Sequence, residues 1–555
     1  MKFSKFVDVA DKINKENKTT TKIEYVSELF SVSDNDSLEI IPRFFQGEIF
    51  PAHDERKTRI STSLMRKSIS EATGVDEKEI KSNMTKVSDM GELFDIYSIN
   101  SDSGQQQLGT PSISITGVYN VLSLIANTSG SGSQSVKVNY LVSLLLKCKP
   151  IEAKYLTRLI LGNMSIGVGS GTIRKAISKT YDIPEDDIER ALMLTNDSGK
   201  VVKIASKKGK KGINDIDLSV CEIPLLSMKA GKSTPLEAMN EMNSDIVYGE
   251  YKYDGFRIQA HKKGDEIKLY TRNLQDVTSS LPDVVELIQK NVDLHTVVLD
   301  GEIVGYESTD FEKPLTYQKT QKRIRRKYDI QKMIDEIPIK PHFFDILYHK
   351  EYGIQIDEIY ERRLRLLSNV CSEDIRSKVV KCHSVSDIQK LMSEADDDGH
   401  EGAMIKHPES TYEPNSRGKK WLKLKPEGET IDATIVGGEY GDGRLSEFIS
   451  SFELAIWDTD SDELVNIGNV GNGVSDKLLE ELTKKFEDEI IEQDGRKVKI
   501  RPTLVVEVRF EEVQPSPKFS SGYGLRFPRV VRMRDTKALS DVDSVERLEN
   551  IAESL

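Results

Sequence analysis

Cysteine is scarce. The four cysteines in 555 residues, Cys148, Cys221, Cys371 and Cys382, lie too far apart for a zinc module or a disulfide framework, which leaves reduced thiols. No run of 18 or more apolar residues occurs, so no segment reads as a membrane-spanning helix. The opening "MKFSKFVDVADKINKENKTTT" lacks the continuous apolar stretch and small-residue cleavage site of a signal peptide, and a cytoplasmic location is the expectation. Net positive charge is also missing. The formal charge of −13 argues against non-specific nucleic-acid binding over the whole surface, but not against a local basic groove. Residues 501–534 hold seven Lys/Arg against three Asp/Glu, while 535–555 hold two against six. No internal repeat of fixed period is found.

What is present fits a soluble globular chain: 37% hydrophobic and 30% charged residues, long enough for three or four domains at ~150 residues each. The first ~220 residues carry helical periodicity. Phe6, Val9, Ala10 and Ile13 recur at helical spacing, and Pro150 is placed to open a helix. "NSDSGQQQLGTPS" (100–112) and "NTSGSGSQS" (127–135) read as loops, and "SKKGKKG" (206–212) near a domain junction as a solvated basic loop or a contact for DNA phosphates. Between 247 and 427 short alternating strands interrupted by helices such as "DEIYERRLRLLSNV" predict an α+β domain on antiparallel sheets. From 431 to 533 further strands predict a small barrel.

The stretch "GEYKYDGFRI" (249–258) alternates like a strand, which would place Glu250, Lys252 and Asp254 on one face. Two readings stand at this point: a solvated, charge-alternating face, or a nucleophilic amine in a cleft with carboxylates beside it. The surroundings favour the second. "LDGEIVGY" sets Asp300 and Glu302 on one strand face, "EGAMIK" adds Glu401 and Lys406, "WLKLK" aligns Lys423 with Lys425, and Arg272 and Arg417 follow suit in "LYTRN" and "NSRGKKW". Many cations suit a polyphosphate, and two or more carboxylates suit Mg²⁺, which binds oxygen ligands together with substrate phosphates.

In that order, "KYDG", "LDGEIVGY", "FFDILY", "EGAMIK" and "WLKLK" resemble the nucleotidyltransferase motifs of ATP-dependent DNA ligases. "SSGYGLRFPRVVRMRDTK" (520–537) resembles the arginine-rich last motif of that family. "PIEAKYLTRLILGNMSIGVGSGT" resembles the helical DNA-binding domain of its archaeal and eukaryotic replicative members. The resemblance implies an all-α DNA-binding domain over 1–220, an α+β adenylation domain over 221–427, and a β-barrel OB-fold domain with an acidic C-terminal helix over 428–555. It implies nick sealing in replication, repair and recombination in three steps: ATP first adenylylates Lys252, AMP passes to a 5′-phosphate, and a 3′-hydroxyl then displaces it.

By the same resemblance Glu250 helps bind the adenosine, and Arg257 and Arg272 approach its sugar and phosphate. Glu302 contacts ribose or metal, and Glu401 the metal, Mg²⁺ with Mn²⁺ as the alternative. Phe344 stacks on adenine, with Phe343 competing for that role. Arg417, Lys423 and Lys425 meet the phosphates, while Arg526 and Arg529, on a last domain hinged near 426–431, assist pyrophosphate departure. Nicked duplex DNA and ATP are the expected partners of a monomeric enzyme. A sliding clamp is a further candidate through "QQQLGTPS" (105–112), which has the glutamine and leucine of a clamp peptide but no aromatic pair.

"GVGSGTIRKAI" (167–177) lacks the ending of an ATP-binding P-loop; it reads as a structural turn or as a helix start holding a DNA phosphate near Arg174 and Lys175. Two departures from the family are peripheral to the chemistry: "IPLLSMKA" in place of a "PMLA"-like segment, and Phe256 where a charge is frequent. RNA ligases and capping guanylyltransferases share the lysine–nucleotide core but lack the helical domain, and an NAD-dependent ligase would carry a cysteine zinc module. A silent nick-binding protein would not need Lys252, Glu302, Glu401, Lys423 and Lys425 together.

Overall fold

A computed structural model describes residues 1–84, 87, 89–100, 113–324, 328–425, 429–441, 445, 447–459, 461–471, 476–534 and 537–554. The chain divides into two compact units, 1–424 and 425–555. Among the described residues no helix is long and apolar enough to cross a membrane.

The first unit begins with twelve described α-helices, from Phe3–Asn14 to Ser198–Asn214. Phe3–Asn14 buries Phe6, Ala10 and Ile13, the i, i+4, i+7 stripe, against Phe44 and Phe45. Pro150 opens the helix Pro150–Ile160, where its missing N–H costs nothing, and Glu152 accepts from the Lys149 N–H at 2.7 Å. The loop expected at 127–135 shrinks to the five residues between the helices Ile115–Asn127 and Ser133–Leu145. The basic run at 206–212 is helical, not a loop. It lies in Ser198–Asn214, broken only at Gly209 (φ +57°), because Val201, Val202, Ala205 and Ile213 anchor that helix in the core.

Ten described strands follow: β1 (Lys229–Lys232), β2 (Val247–Tyr251), β3 (Phe256–Lys263), β4 (Glu266–Thr271), β5 (Thr296–Gly305), β6 (Ile339–His349), β7 (Gly353–Ile354), β8 (Val379–Cys382), β9 (Ala403–Lys406) and β10 (Arg417–Leu424). They form two five-stranded sheets, in the orders β1-β10-β9-β2-β8 and β4-β3-β5-β6-β7, antiparallel except for the β1–β10 pair. The "GEYKYDGFRI" stretch, expected to be one strand, is therefore two strands in different sheets. Lys252–Gly255 is the crossing between them, so Glu250, Lys252 and Asp254 do not share one strand face. Gly255 permits the crossing, since a Cβ there would lie 2.2 Å from the Ile303 carbonyl oxygen.

The helices and sheets of this unit share a core in which Leu194 and Leu218 pack with Phe344, Leu347, Tyr412 and Trp421. Asn196 also donates its side-chain N–H to the Pro224 carbonyl at 2.6 Å.

The second unit contains β11 (Thr430–Tyr440), β12 (Ile449–Asp458), β13 (Glu463–Val470), β14 (Ile490–Asp494), β15 (Lys497–Ile500), β16 (Val505–Arg509), β17 (Glu512–Pro515), β18 (Tyr523–Arg526) and β19 (Arg529–Met533). β11 pairs with β12 along one edge and with both β15 and β16 along the other, so the antiparallel sheet curls around Ile435, Phe452, Leu454, Phe486 and Val506. β17 and β18 make a separate hairpin. The helix Val545–Ser554 follows the last strand.

Candidate active site

Lys252 sits one residue past β2, on the crossing between the two sheets. Its backbone is clamped to the segment before β9: the Lys252 N–H donates to the Gly402 carbonyl at 2.8 Å, and the Glu401 N–H donates to the Lys252 carbonyl at 3.0 Å. The side chains meet as well, the Lys252 ammonium against Glu401 Oε2, with about a fifth of each side chain exposed. Asp254 lies beside this pair and accepts from the Tyr317 N–H at 2.9 Å. Burial, with the Glu401 charge adding to it, raises its carboxyl pKa to about 6. Glu302, on β5 directly opposite Arg257, is pushed up to about 8 by burial, against the pull of Arg257 and Lys252.

Asp254 and Glu302 both hold protons more tightly than free carboxyls do, chiefly through burial, and each feels the charges of Lys252 and Glu401. An entering cation would favour the ionised form of both. Among the described residues no three His, Cys, Asp or Glu side chains form a ready-made metal cage. Incomplete protein ligation of this kind is the way Mg²⁺ is usually held, by one or two carboxylates plus substrate phosphates. Glu302 and Glu401 fit that pattern.

The second sheet contributes an arginine with its own support. Arg257 on β3 forms a fork with Asp300 on β5, Nε to Oδ1 at 2.8 Å and Nη2 to Oδ2 at 2.5 Å. The Tyr412 hydroxyl donates to Asp300 Oδ2 at 2.6 Å and accepts from the Met228 N–H at 3.1 Å. Arg257 also lies over the Phe344 ring, 4.8 Å from its centroid. The two phenylalanines part company here. Phe343 is wholly buried in the core behind the sheet, whereas Phe344 is on the side of Arg257, Lys406 and Trp421.

On the first sheet, Glu250 is almost sealed, with its carboxylate held by Lys406 at 2.6 Å and by the Tyr360 hydroxyl. Across that sheet Glu250, Met404 and Lys423 are register partners in one row. The other expected residues are more dispersed. Arg272 is exposed just past β4, and the side chain of Arg417 lies outside the described residues. Lys425 belongs to the second unit, paired with Glu511 at 3.1 Å. There too, Arg526 pairs with Glu512 at 2.8 Å and stacks on Phe527, while Arg529 is exposed at the start of β19. The 105–112 segment and residues 426–428 of the expected hinge fall outside the described residues. In the helical region Gly169 precedes the helix Ser170–Tyr181, and Arg174 is paired with Glu185 and Glu189.

Lys406, counted in the sequence among cations suited to a polyphosphate, is instead buried on Glu250; Tyr360 and Tyr412, which hold Glu250 and Asp300, were given no role by the sequence. Tyr360 and Tyr412 come from a helix start and a loop with no motif to mark them.

Three family profiles match: "DNA ligase N terminus" over 2–178, "ATP dependent DNA ligase domain" over 227–425 and "ATP dependent DNA ligase C terminal region" over 446–537. The chain is 38% identical to a DNA ligase of Archaeoglobus fulgidus, covering 99% of this chain and 97% of that protein. It is 35% identical to one of Thermococcus onnurineus, covering 100% and 98%. A solved structure titled "Pmar-Lig_PreS3" shares the fold with a TM-score of 0.59 at 15% identity, over 95% of this chain and 99% of that one.

Proposed function

Given that this chain belongs to the ATP-dependent DNA ligase family, whose members seal nicks through an adenylate intermediate, we propose the following roles for its residues. Lys252 Nζ attacks the α-phosphorus of ATP; a nitrogen–phosphorus bond forms, the bridging P–O bond breaks and pyrophosphate leaves. A 5′-phosphate oxygen at the nick then attacks the adenylate phosphorus, and the lysine amine departs with a proton. The 3′-hydroxyl finally attacks the 5′-phosphorus, forming the phosphodiester and releasing AMP. Attack needs the neutral amine, so the Lys252 ammonium gives up a proton before the first step; the amine can then keep an N–H on Glu401 while its lone pair faces phosphorus.

Arg257, held flat by Asp300, and Arg272 bind the sugar and phosphate, and Phe344 stacks on the base, with Glu250 behind it. Lys423, Arg417 and Lys425 neutralise phosphate charge, and Arg526 and Arg529 assist pyrophosphate departure. Glu302 and Glu401 would hold Mg²⁺, with Mn²⁺ as the alternative; when bound, the ion supplies charge neutralisation at the phosphate oxygens. We assign DNA binding to residues 1–220, adenylation to 221–427 and an OB-fold to 428–555. The enzyme works as a monomer on nicked duplex DNA in the cytoplasm, associated with the nucleoid, in replication, repair and recombination. A clamp contact through 105–112 would be an addition to this.

The observation that carries this reading is the contact of Lys252 with Glu401 beside Asp254 and Glu302. The test separates the steps. Arg526→Ala should fail to take up label from α-labelled ATP, yet seal nicked DNA that is already adenylylated. Equal loss of both activities would overturn its assignment to the first step.

A further inference from the structure

One buried charge has no part in the chemistry above. Lys406 ends β9 with its side chain 1% exposed, and that of Glu250, its partner at 2.6 Å, is 2% exposed. Its ammonium lies 4.5, 4.8 and 4.3 Å from the ring centroids of Phe344, Tyr360 and Trp421. It also points at the Phe344 carbonyl, 3.5 Å away. The Tyr360 hydroxyl meets the same oxygen, Oε1, of Glu250 that Lys406 holds.

This arrangement asks for a reason beyond stability. A buried ion pair is often no better than apolar side chains of the same volume, because desolvation offsets the attraction. Two features point to the nucleotide instead. First, Lys406 joins two different sheets: it stands on β9 with Glu250 on neighbouring β2, and it also reaches the ring and carbonyl of Phe344 on β6. It therefore ties together the carboxylate and the ring on which the base is to stack. Second, the pairing is lopsided. Oε1 of Glu250 takes both Lys406 and Tyr360, whereas Oε2 has only a 3.5 Å contact from the Ser377 hydroxyl. One oxygen keeps acceptor capacity for a donor from outside.

We propose that Lys406 is a positioning residue for base recognition: by fixing Glu250 relative to Phe344, it makes the site prefer a purine with a 6-amino group over one with a 6-oxo group. The chemistry follows from the partners. A carboxylate only accepts, so it favours an amino edge and repels a carbonyl edge, and a misplaced carboxylate loses that preference. The inference rests on the reading of Glu250 as an adenosine contact.

The test is self-adenylylation of the full chain with ATP and with ITP, whose base carries the 6-oxo group. For Lys406→Met the KM for ATP should rise about tenfold or more with kcat little changed, and the ATP:ITP preference in kcat/KM should shrink by about tenfold. Lys406→Gln keeps a donor to Glu250 and so guards against a folding failure; it should move in the same direction. Lys406→Arg should restore most of the preference. A purely structural lysine would give a smaller fraction of protein able to label, or an earlier thermal transition, with KM and preference unchanged; that result overturns the proposal. Glu250→Gln distinguishes the two layers. If it leaves the ATP:ITP ratio as in the wild type, the adenosine role of Glu250 fails first. If it lowers the ratio while Lys406→Gln does not, only the role of Lys406 fails.

Discussion

Lys252 and Glu401 are joined three times: ammonium to carboxylate, Lys252 N–H to the Gly402 carbonyl beside Glu401, and Glu401 N–H to the Lys252 carbonyl. The double backbone link holds the two residues side by side on neighbouring segments. Glu401→Gln should keep that link and the fold while removing a charge from the phosphate site. Adenylylation should fall about 10²- to 10³-fold, the scale for losing one preorganised electrostatic group. It should recover in part at high Mg²⁺. Single-turnover labelling across a Mg²⁺ series measures this, and an unchanged rate would remove Glu401 from the site.

Tyr412 supports Arg257 at one remove, through Asp300. Tyr412→Phe should leave a buried carboxylate oxygen with one donor fewer, at a cost of about 1–3 kcal/mol. The KM for ATP should rise more than kcat falls. Denaturant unfolding and labelling kinetics on the same preparation would show both.

Asp345, the aspartate of "FFDILY", is not placed to touch a nucleotide. Its carboxylate is bound by Arg363 at 2.7 and 3.0 Å, both side chains wholly buried, and Arg363 also donates to the Ser410 carbonyl at 2.9 Å. Arg363→Met leaves that carboxylate unpaired and should destabilise the unit by about 3–5 kcal/mol. Replacing Asp345 as well, to Asp345→Leu/Arg363→Met, should recover much of the loss. Thermal unfolding of the two variants decides it.

His261 makes the fold acid-sensitive. Its Nδ1 accepts from the Cys221 N–H at 3.0 Å and its Nε2 faces Gln259 Oε1 at 2.8 Å, so a second proton would break the first bond. Burial lowers its pKa to about 3. In the unfolded chain it returns to about 6.5, so between those values the unfolded state binds the extra proton. Stability is full above about pH 6.5 and should fall by about 1.4 kcal/mol per pH unit below it. His261→Gln should flatten that slope by one proton in urea titrations at pH 7.5, 6.5 and 5.5.

Much of this was legible in the residues, and the misses have physical causes. The helix Phe3–Asn14 shows its buried stripe as a helical period, and Pro150 marks a helix start because only there is its missing N–H harmless. The "GEYKYDGFRI" stretch misled because alternation continues through Lys252–Gly255, although the hydrogen-bonding partner changes from β9 to β5. Periodicity reports side-chain direction and says nothing of which sheet a residue joins. The lysines at 206–212 hid a helix because its buried residues, Val202, Ala205 and Ile213, extend beyond the charged run at both ends. Lys406 was visible as a charge, but its burial depends on Tyr360 and Trp421, distant in sequence and brought in only by the fold.

The central claim is that Lys252 carries the nucleotide, and mapping the adenylate to a residue tests it most directly. The protein would be incubated with α-labelled ATP and Mg²⁺ without DNA, digested, and its peptides read by mass spectrometry beside Lys252→Ala. The account predicts one added AMP on the peptide containing Lys252, discharged by nicked DNA and missing from the variant. Label on another lysine, or equal label on Lys252→Ala, would contradict it.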